Sequence, residues 1–398
     1  MCKRKELRRK EMNNPERHGY LDIPVWEGHA HSLFVAKAER LPFVYDRIMN
    51  YYGYTRLTIC ALMQDSDADD MANNLKSLYV KSKLNTAATP NRVYVAGNIY
   101  HYRDGKDSAQ GYLRQVKQLA AMGVDGFKML EGKPGERKLF ARRIDDPIFD
   151  LMYKFIEDNG YVLTMHVGDP EDNWDITKVS EYARKKGWFY DETYQTMPEL
   201  RDEVEGILNK FPKLRLNLAH LYFLGFKLEE ARALMERHPN VTLDLTPGGE
   251  MFVGFTQRHD EWRRFFIDYA DRLNYGTDLY NVDIGDEADE VFETKPAAGW
   301  RINELRSMLE KTEPFEDRTW GTLIPLGLDR ESVEKICHKN YERLIGDARP
   351  LNAAVIAQYA ADMIDLLEHG FVTTKVSPER DALELENMKV IYEHFSNL

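Results

Sequence analysis

Trp26-Glu27-Gly28-His29-Ala30-His31 is the stretch around which the rest of the chain is read. In an extended strand residues i and i+2 share a face, so His29 and His31 present two imidazoles to one point while Ala30 turns away. Two neutral imidazoles make half of a metal site. The remainder must come from elsewhere in the chain, and suitable donors stand at the ends of apolar runs. His166 closes Val162-Leu163-Thr164-Met165-His166, His220 closes Leu216-Asn217-Leu218-Ala219-His220, and Asp278 closes Leu273-Asn274-Tyr275-Gly276-Thr277-Asp278. Imidazoles with a carboxylate suit zinc, manganese, iron or cobalt better than calcium or magnesium.

Working outward, apolar runs too short for surface helices alternate with helical spacing. Beyond the His-Ala-His strand, the pattern predicts strands over residues 57–63, 92–97, 124–130, 162–166, 214–219, 241–245 and 273–277. Helices are predicted over 39–52, 68–83, 108–122, 147–159, 198–210, 227–237 and 259–270, with an added one over 176–186. Runs apolar on both sides fit parallel strands covered on both faces. Eight strands alternating with helices over about 250 residues have the size and order of a closed parallel (β/α)8 barrel. The rival is an open doubly wound sheet, but no G-x-G-x-x-G or Walker loop occurs anywhere in the chain. The expected division is an N-terminal extension over 1–25, the barrel over 26–348 and a helical appendage over 349–398. The appendage would pack on the barrel through an apolar stripe containing Tyr359, Met363, Leu366 and Leu367. Residues 281–325 break the alternation, with acidic Asp283, Asp286, Glu287, Asp289 and Glu290, a helical segment near 299–309 and a loop over 312–326. A segment of that length, 283–325 above all, is a candidate lid over the barrel mouth.

Composition sets limits. With 398 residues the chain can bury a large core, and a net charge of -12 makes nucleic acid an unexpected partner. Cys2, Cys60 and Cys337 have no metal-like spacing and read as free thiols. The basic N-terminal lead is not followed by an apolar core, and no run reaches the roughly 18 apolar residues of a membrane span. A cytoplasmic protein without membrane contact is therefore expected, its basic lead a solvated tail or short helix.

In a parallel barrel the catalytic face lies at the C-terminal ends of the strands. His29, His31, His166, His220 and Asp278 all fall at such ends, taking four of only 11 histidines. The reading is one divalent ion held by His29, His31, His166 and Asp278, polarising a carbonyl or activating water. Asp278 would also accept the proton of the attacking water, and His220 would bond that water or the oxyanion. Lys128, near the end of the fourth strand, reads three ways: a carbamylated bridge between two metals, a holder of substrate carboxylate, or an ion-pair partner of Glu131. A mononuclear site is expected. Weaker candidates follow other strands: Arg103 and Lys133 for a carboxylated substrate, Trp174 to cover a ring, and Tyr222, each of which also reads as an ordinary loop residue. The Pro247-Gly248-Gly249-Glu250 turn permits close backbone approach at the mouth.

On these residues the chain resembles the amidohydrolase superfamily, in its amidohydrolase-related (family 2) branch, from about Trp26 to Ile345. The resemblance rests on Gly28-His29-Ala30-His31, Gly126-Phe127-Lys128, Met165-His166, Ala219-His220, Gly276-Thr277-Asp278 and the closing Asn340-Tyr341-Glu342-Arg343-Leu344. It implies a distorted TIM barrel with one divalent metal, usually zinc or manganese, held by His29, His31, His166 and Asp278 with His220 nearby. It also implies a lysine at Lys128 that does not bridge metals. Members of the branch hydrolyse amides, esters or lactones, and close relatives decarboxylate aromatic or unsaturated acids without oxidation. The long basic lead, the segment after the eighth strand and the two C-terminal helices depart from the pattern. The expected function is accordingly a metal-dependent hydrolase of a small-molecule amide, ester or lactone, with zinc the first choice of ion and manganese, iron or cobalt the others. A decarboxylase of a carboxylic acid is the alternative, and a non-catalytic binding barrel the alternative of another class. A dimer or higher homo-oligomer is the family expectation.

Overall fold

A computed structural model describes residues 20, 22–32, 37–63, 66–101, 107–247, 250–279, 297–317 and 320–398. Eight parallel strands follow one another in chain order: β1 (Val25–His31), β2 (Tyr54–Cys60), β3 (Val93–Asn98), β4 (Gly126–Gly132), β5 (Val162–Val167), β6 (Arg215–Leu218), β7 (Val241–Asp244) and β8 (Leu273–Asn274). Backbone bonds from Gly28 N to Tyr275 O (3.2 Å) and from His31 N to Leu279 O (2.8 Å) bring the segment after β8 against β1, so the sheet curls into a barrel. The fold is the (β/α)8 barrel that the alternation predicts. Most strand residues are buried, as both-sided coverage by helices requires.

Local chemistry explains most boundaries. Ser66 and Ser108 cap the helices Asp67–Leu84 and Ala109–Met122, and Thr196 with Glu199 forms a capping box at Met197–Lys210. Gly53, at φ 71°, ends Leu41–Tyr52 in the left-handed conformation that glycine takes without strain. Other boundaries differ from the sequence reading. β2 begins at Tyr54 rather than 57, and β8 keeps only two paired residues because the chain leaves it to reach β1. The helix expected over 176–186 shrinks to Glu181–Lys185. Pro134–Phe140 and Glu250–Gln257 are additional helices, and the loop expected over 312–326 contains a hairpin, β9 (Phe315–Asp317) with β10 (Gly321–Leu323). The basic lead up to Arg17, Arg103, Gly248, Gly249 and the acidic part of the candidate lid, 283–296, lie outside the described residues.

The closing motif plugs the barrel floor. Asn340 Nδ2 donates to Ala270 O (2.8 Å) and Leu273 O (2.7 Å), tying this segment to the base of β8. The Tyr341 ring lies 5.4 Å from Trp26, which packs 4.2 Å from Tyr94. A Cβ on residue 28 would fall 2.0 Å from Tyr341 Oη, so the glycine beside the histidines makes room for this floor. The C-terminal helices, Ala353–Glu368 and Pro378–Ser396, pack on each other and on Asp67–Leu84, where buried Lys76 Nζ meets Glu384 Oε1 at 2.9 Å.

Candidate metal centre

β1 delivers both histidines to the C-terminal mouth, their rings 4.8 Å apart and almost perpendicular. His31 Nδ1 lies 3.2 Å from Cys60 O. A carbonyl only accepts, so Nδ1 carries the hydrogen and Nε2 keeps a lone pair. That Nε2 faces Asp278 Oδ1 at 2.8 Å. Two electron-pair donors so close require a proton or a cation between them.

His29 is set the same way by a different partner. Its Nδ1 donates to Asp244 Oδ2 (2.9 Å), with Thr246 Oγ1 at 3.0 Å, and its Nε2 is left facing Lys128 Nζ at 2.9 Å. Asp244 also accepts from His220 N (3.0 Å), Thr246 N (3.1 Å) and Asn217 Nδ2 (3.3 Å). Burial alone would raise the Asp244 carboxyl, but His29 and these donors hold it below the usual carboxylate range. Burial, and then the Lys128 charge, lower His29 to about 4, which keeps the imidazole neutral and able to ligate.

Asp278 reaches the same point from the other side of the closure. It sits at φ 54°, a left-handed conformation that aspartate tolerates better than most side chains. Glu27 clamps its neighbour: Oε1 accepts from Thr277 N (3.0 Å) and His29 N (2.9 Å), and Oε2 from Thr277 Oγ1 (2.7 Å). The Glu27 carboxyl, raised by burial to about 7, thereby fixes β1 against the segment that carries Asp278. Among the described residues, His29, His31 and Asp278 are brought together with ligand atoms within 4.8 Å of one another. The donor set, with each imidazole's Nδ1 already committed, fits a divalent ion of the zinc or manganese type.

His166 and His220 stand beside this cluster as a pair. Their rings are 4.6 Å apart, with His220 Nε2 and His166 Nδ1 at 3.0 Å, and the His220 ring is 5.7 Å from His29. His166 Nε2 meets Gly168 O at 2.9 Å, and His220 Nδ1 meets Thr246 O at 3.3 Å. Burial lowers both histidines, His220 well below the ordinary value. His220 opens a run of four left-handed residues, with φ 59° at His220, 51° at Leu221, 56° at Tyr222 and 53° at Phe223. For L-residues such a turn costs roughly 1–2 kcal/mol per residue, and it aims the imidazole across β7.

The weaker candidates have other partners. Lys133 Nζ lies 2.7 Å from both Asp169 oxygens and 4.5 Å from the Trp188 ring centroid, so its charge is already used. Trp174 donates to Gln195 O at 3.1 Å and packs on Tyr190. Tyr222 is buried, with the Arg201 guanidinium 5.7 Å from its ring. The sequence reading passed over Asp244 and Glu27 as site residues. Their signal was an acidic residue inside an otherwise apolar strand, Val241-Thr242-Leu243-Asp244-Leu245, and another two positions before His29 on the same face.

A family model described as amidohydrolase matches residues 82–346. No curated protein matches the chain. Among solved structures the chain is similar to 4-oxalomesaconate hydratase from Rhodopseudomonas palustris, at 13% identity over 87% of this chain and 100% of that one, with a TM-score of 0.51. It is also similar to the IDCase of Metarhizium anisopliae (14% identity, 84% of this chain and 98% of that one, TM-score 0.49). A third is the 2,6-dihydroxybenzoate decarboxylase of Rhizobium (12% identity, 81% and 98%, TM-score 0.43). At such an identity the likeness to the hydratase speaks to the fold alone. No helix among the described residues is long and apolar enough to cross a membrane.

Proposed function

The chain belongs to the amidohydrolase family, and from that premise we propose that it is a metal-dependent hydrolase of a small-molecule amide, ester or lactone. His29, His31 and Asp278 would hold one divalent ion, with His166 the fourth donor that the family resemblance adds. The observation that carries this reading is the facing of His31 Nε2 and Asp278 Oδ1, with His29 Nε2 close by and the Nδ1 atoms of His29 and His31 occupied elsewhere. An ion held there would polarise the substrate carbonyl and lower the pKa of adjacent water. Asp278 accepts the proton of the attacking water and returns it to the leaving group. Asp244 keeps the His29 ring in one tautomer and anchors the main-chain N–H of His220, whose Nε2, with Nδ1–H turned to Thr246 O, would accept from the attacking water.

Decarboxylation of a carboxylic acid is the second reading, and one observation favours it. Lys128, an amine at the cluster whose pKa burial lowers, is a donor suited to a substrate carboxylate. The commitment of Lys133 to Asp169 weighs on the other side, because a second cation at the mouth is thereby neutralised. The test is elemental analysis of protein purified without added metal, followed by a screen of lactones, esters and amides against aromatic acids with CO2 release monitored. Stoichiometric metal with turnover of the first group supports the hydrolase. Released CO2 alone selects the lyase, and absence of both metal and turnover leaves a binding barrel.

A further inference from the structure

Lys128 and a metal ion make the same demand on one atom. His29 Nδ1 is occupied by Asp244, so the ring has a single lone pair, on Nε2, and Lys128 Nζ stands 2.9 Å from it. An ion ligated by His29 needs that lone pair. Lys128 Nζ donates a hydrogen to that lone pair, and a hydrogen and an ion cannot share it.

The fold supplies a second set of partners for the Lys128 amine. Lys128 also lines a narrow recess at the ends of β2, β3 and β4, together with Leu62, Met63, Asn98, Ile99 and Glu131. Two acceptors in this recess, Glu131 Oε2 and Asn98 Oδ1, are buried and have no hydrogen-bond partner among the described residues. Both side chains are held in place by their other atoms. Glu131 Oε1 is 2.8 Å from His101 Nε2, whose Nδ1 is 2.7 Å from Tyr112 Oη, and Asn98 Nδ2 donates to Ile99 O at 3.1 Å. A buried carboxylate oxygen without a donor is costly, and a flexible lysine stem on the same strand can bring one.

Resting on the metal reading above, we propose that Lys128 is a two-position side chain that holds His29 Nε2 in the arrangement described and moves to Glu131 Oε2 and Asn98 Oδ1 when a divalent ion takes that nitrogen. Lys128 thereby sets how tightly the centre binds its ion, and Glu131 is the positioning residue that receives the displaced charge.

The test is a set of zinc and manganese affinities, measured by competition with a chromophoric chelator, for the wild-type protein, Lys128→Met, Lys128→Gln, Glu131→Gln and the Lys128→Met/Glu131→Gln pair. Both Lys128 variants are expected to bind zinc at least about tenfold more tightly, the scale of one removed charge contact. Glu131→Gln is expected to weaken binding several-fold in the wild-type background and to have no effect once Lys128 is methionine. A zinc-loaded crystal structure should place Lys128 Nζ on Glu131 Oε2. Unchanged or weaker binding in both Lys128 variants, an equal effect of Glu131→Gln in both backgrounds, or a carbamate on Lys128 would overturn the proposal while leaving a metal-binding wild type and the hydrolase reading intact. Failure of all five proteins to bind either ion removes that reading, and this inference with it.

Discussion

His29 Nδ1 and Asp244 Oδ2 lie 2.9 Å apart with both side chains fully buried, joining residues 215 positions apart in the chain. The carboxylate decides which imidazole nitrogen faces the cluster. Asp244→Asn preserves shape but not charge, so metal affinity should fall by about 10–100-fold, the usual effect of losing such a partner. Asp244→Ala should also lower stability, because His220 N, Thr246 N and Asn217 Nδ2 lose their acceptor. Chelator competition and thermal unfolding measure the two effects separately.

His29→Ala and Asp278→Asn should divide metal binding from chemistry. The first removes a ligand and is expected to abolish metal retention on dialysis. The second keeps an oxygen donor and a residue type that accepts the left-handed backbone at 278, so metal stays and turnover is lost. Equal metal content and equal activity in both variants would refute these roles.

The left-handed turn after β6 should be unusually intolerant of β-branching. Leu221→Ile places a branched side chain at φ 51° and is expected to destabilise by more than about 2 kcal/mol, whereas the same exchange at Leu218, in β6, should cost less than about 1.5 kcal/mol. Both leucines are fully buried, so denaturant unfolding of the pair isolates the backbone effect.

Glu250 gives the stability curve a pH dependence away from the metal cluster. Burial, with Asp169 and Asp172 nearby, raises its carboxyl from 4.5 to about 7. Because the folded value lies above the unfolded one, its contribution is most favourable below pH 4.5 and is lost as pH rises through about 7. Glu250→Gln should therefore be more stable than wild type at pH 8, by about 2–3 kcal/mol, and show no such gain at pH 4. Urea unfolding at the two pH values reads the difference.

The docking of the C-terminal helices depends on a charge pair inside a dry contact. Glu384→Ala takes the carboxylate from buried Lys76 and from Arg380 and should destabilise by about 3–5 kcal/mol, while Lys76→Met with Glu384→Leu should recover the part due to Lys76. Equal stability of the single and double variants would rule out this account.

Much of the architecture was legible because it is written in short-range periodicity. The apolar runs at 92–97, 162–166 and 241–245 became β3, β5 and β7, and serine and glycine marked helix ends by bonding within a few residues. Elements carried by turn-like sequence were harder to see. Pro134-Gly135 opens a helix after β4, and Glu250–Gln257 is a helix that begins just beyond a glycine pair. The hairpin of β9 and β10 has three-residue strands, too brief for an alternation to register.

The donors themselves, His29, His31, His166, His220 and Asp278, were readable one by one as polar residues ending apolar runs, since a strand end is a property of neighbouring positions. Their division into a gathered trio of His29, His31 and Asp278 and an adjoining His166–His220 pair was not. That depends on how eight strands tilt and close, which sets distances between residues 54 positions apart in the pair and much farther apart between β1 and Asp278. The same closure put Asp244 behind one imidazole and Lys128 in front of it. Residue order along the chain thus carried the kinds of chemistry available, while three-dimensional packing assigned each nitrogen and oxygen its partner, because hydrogen bonds and charges act over a few ångströms of space and not over positions in a sequence.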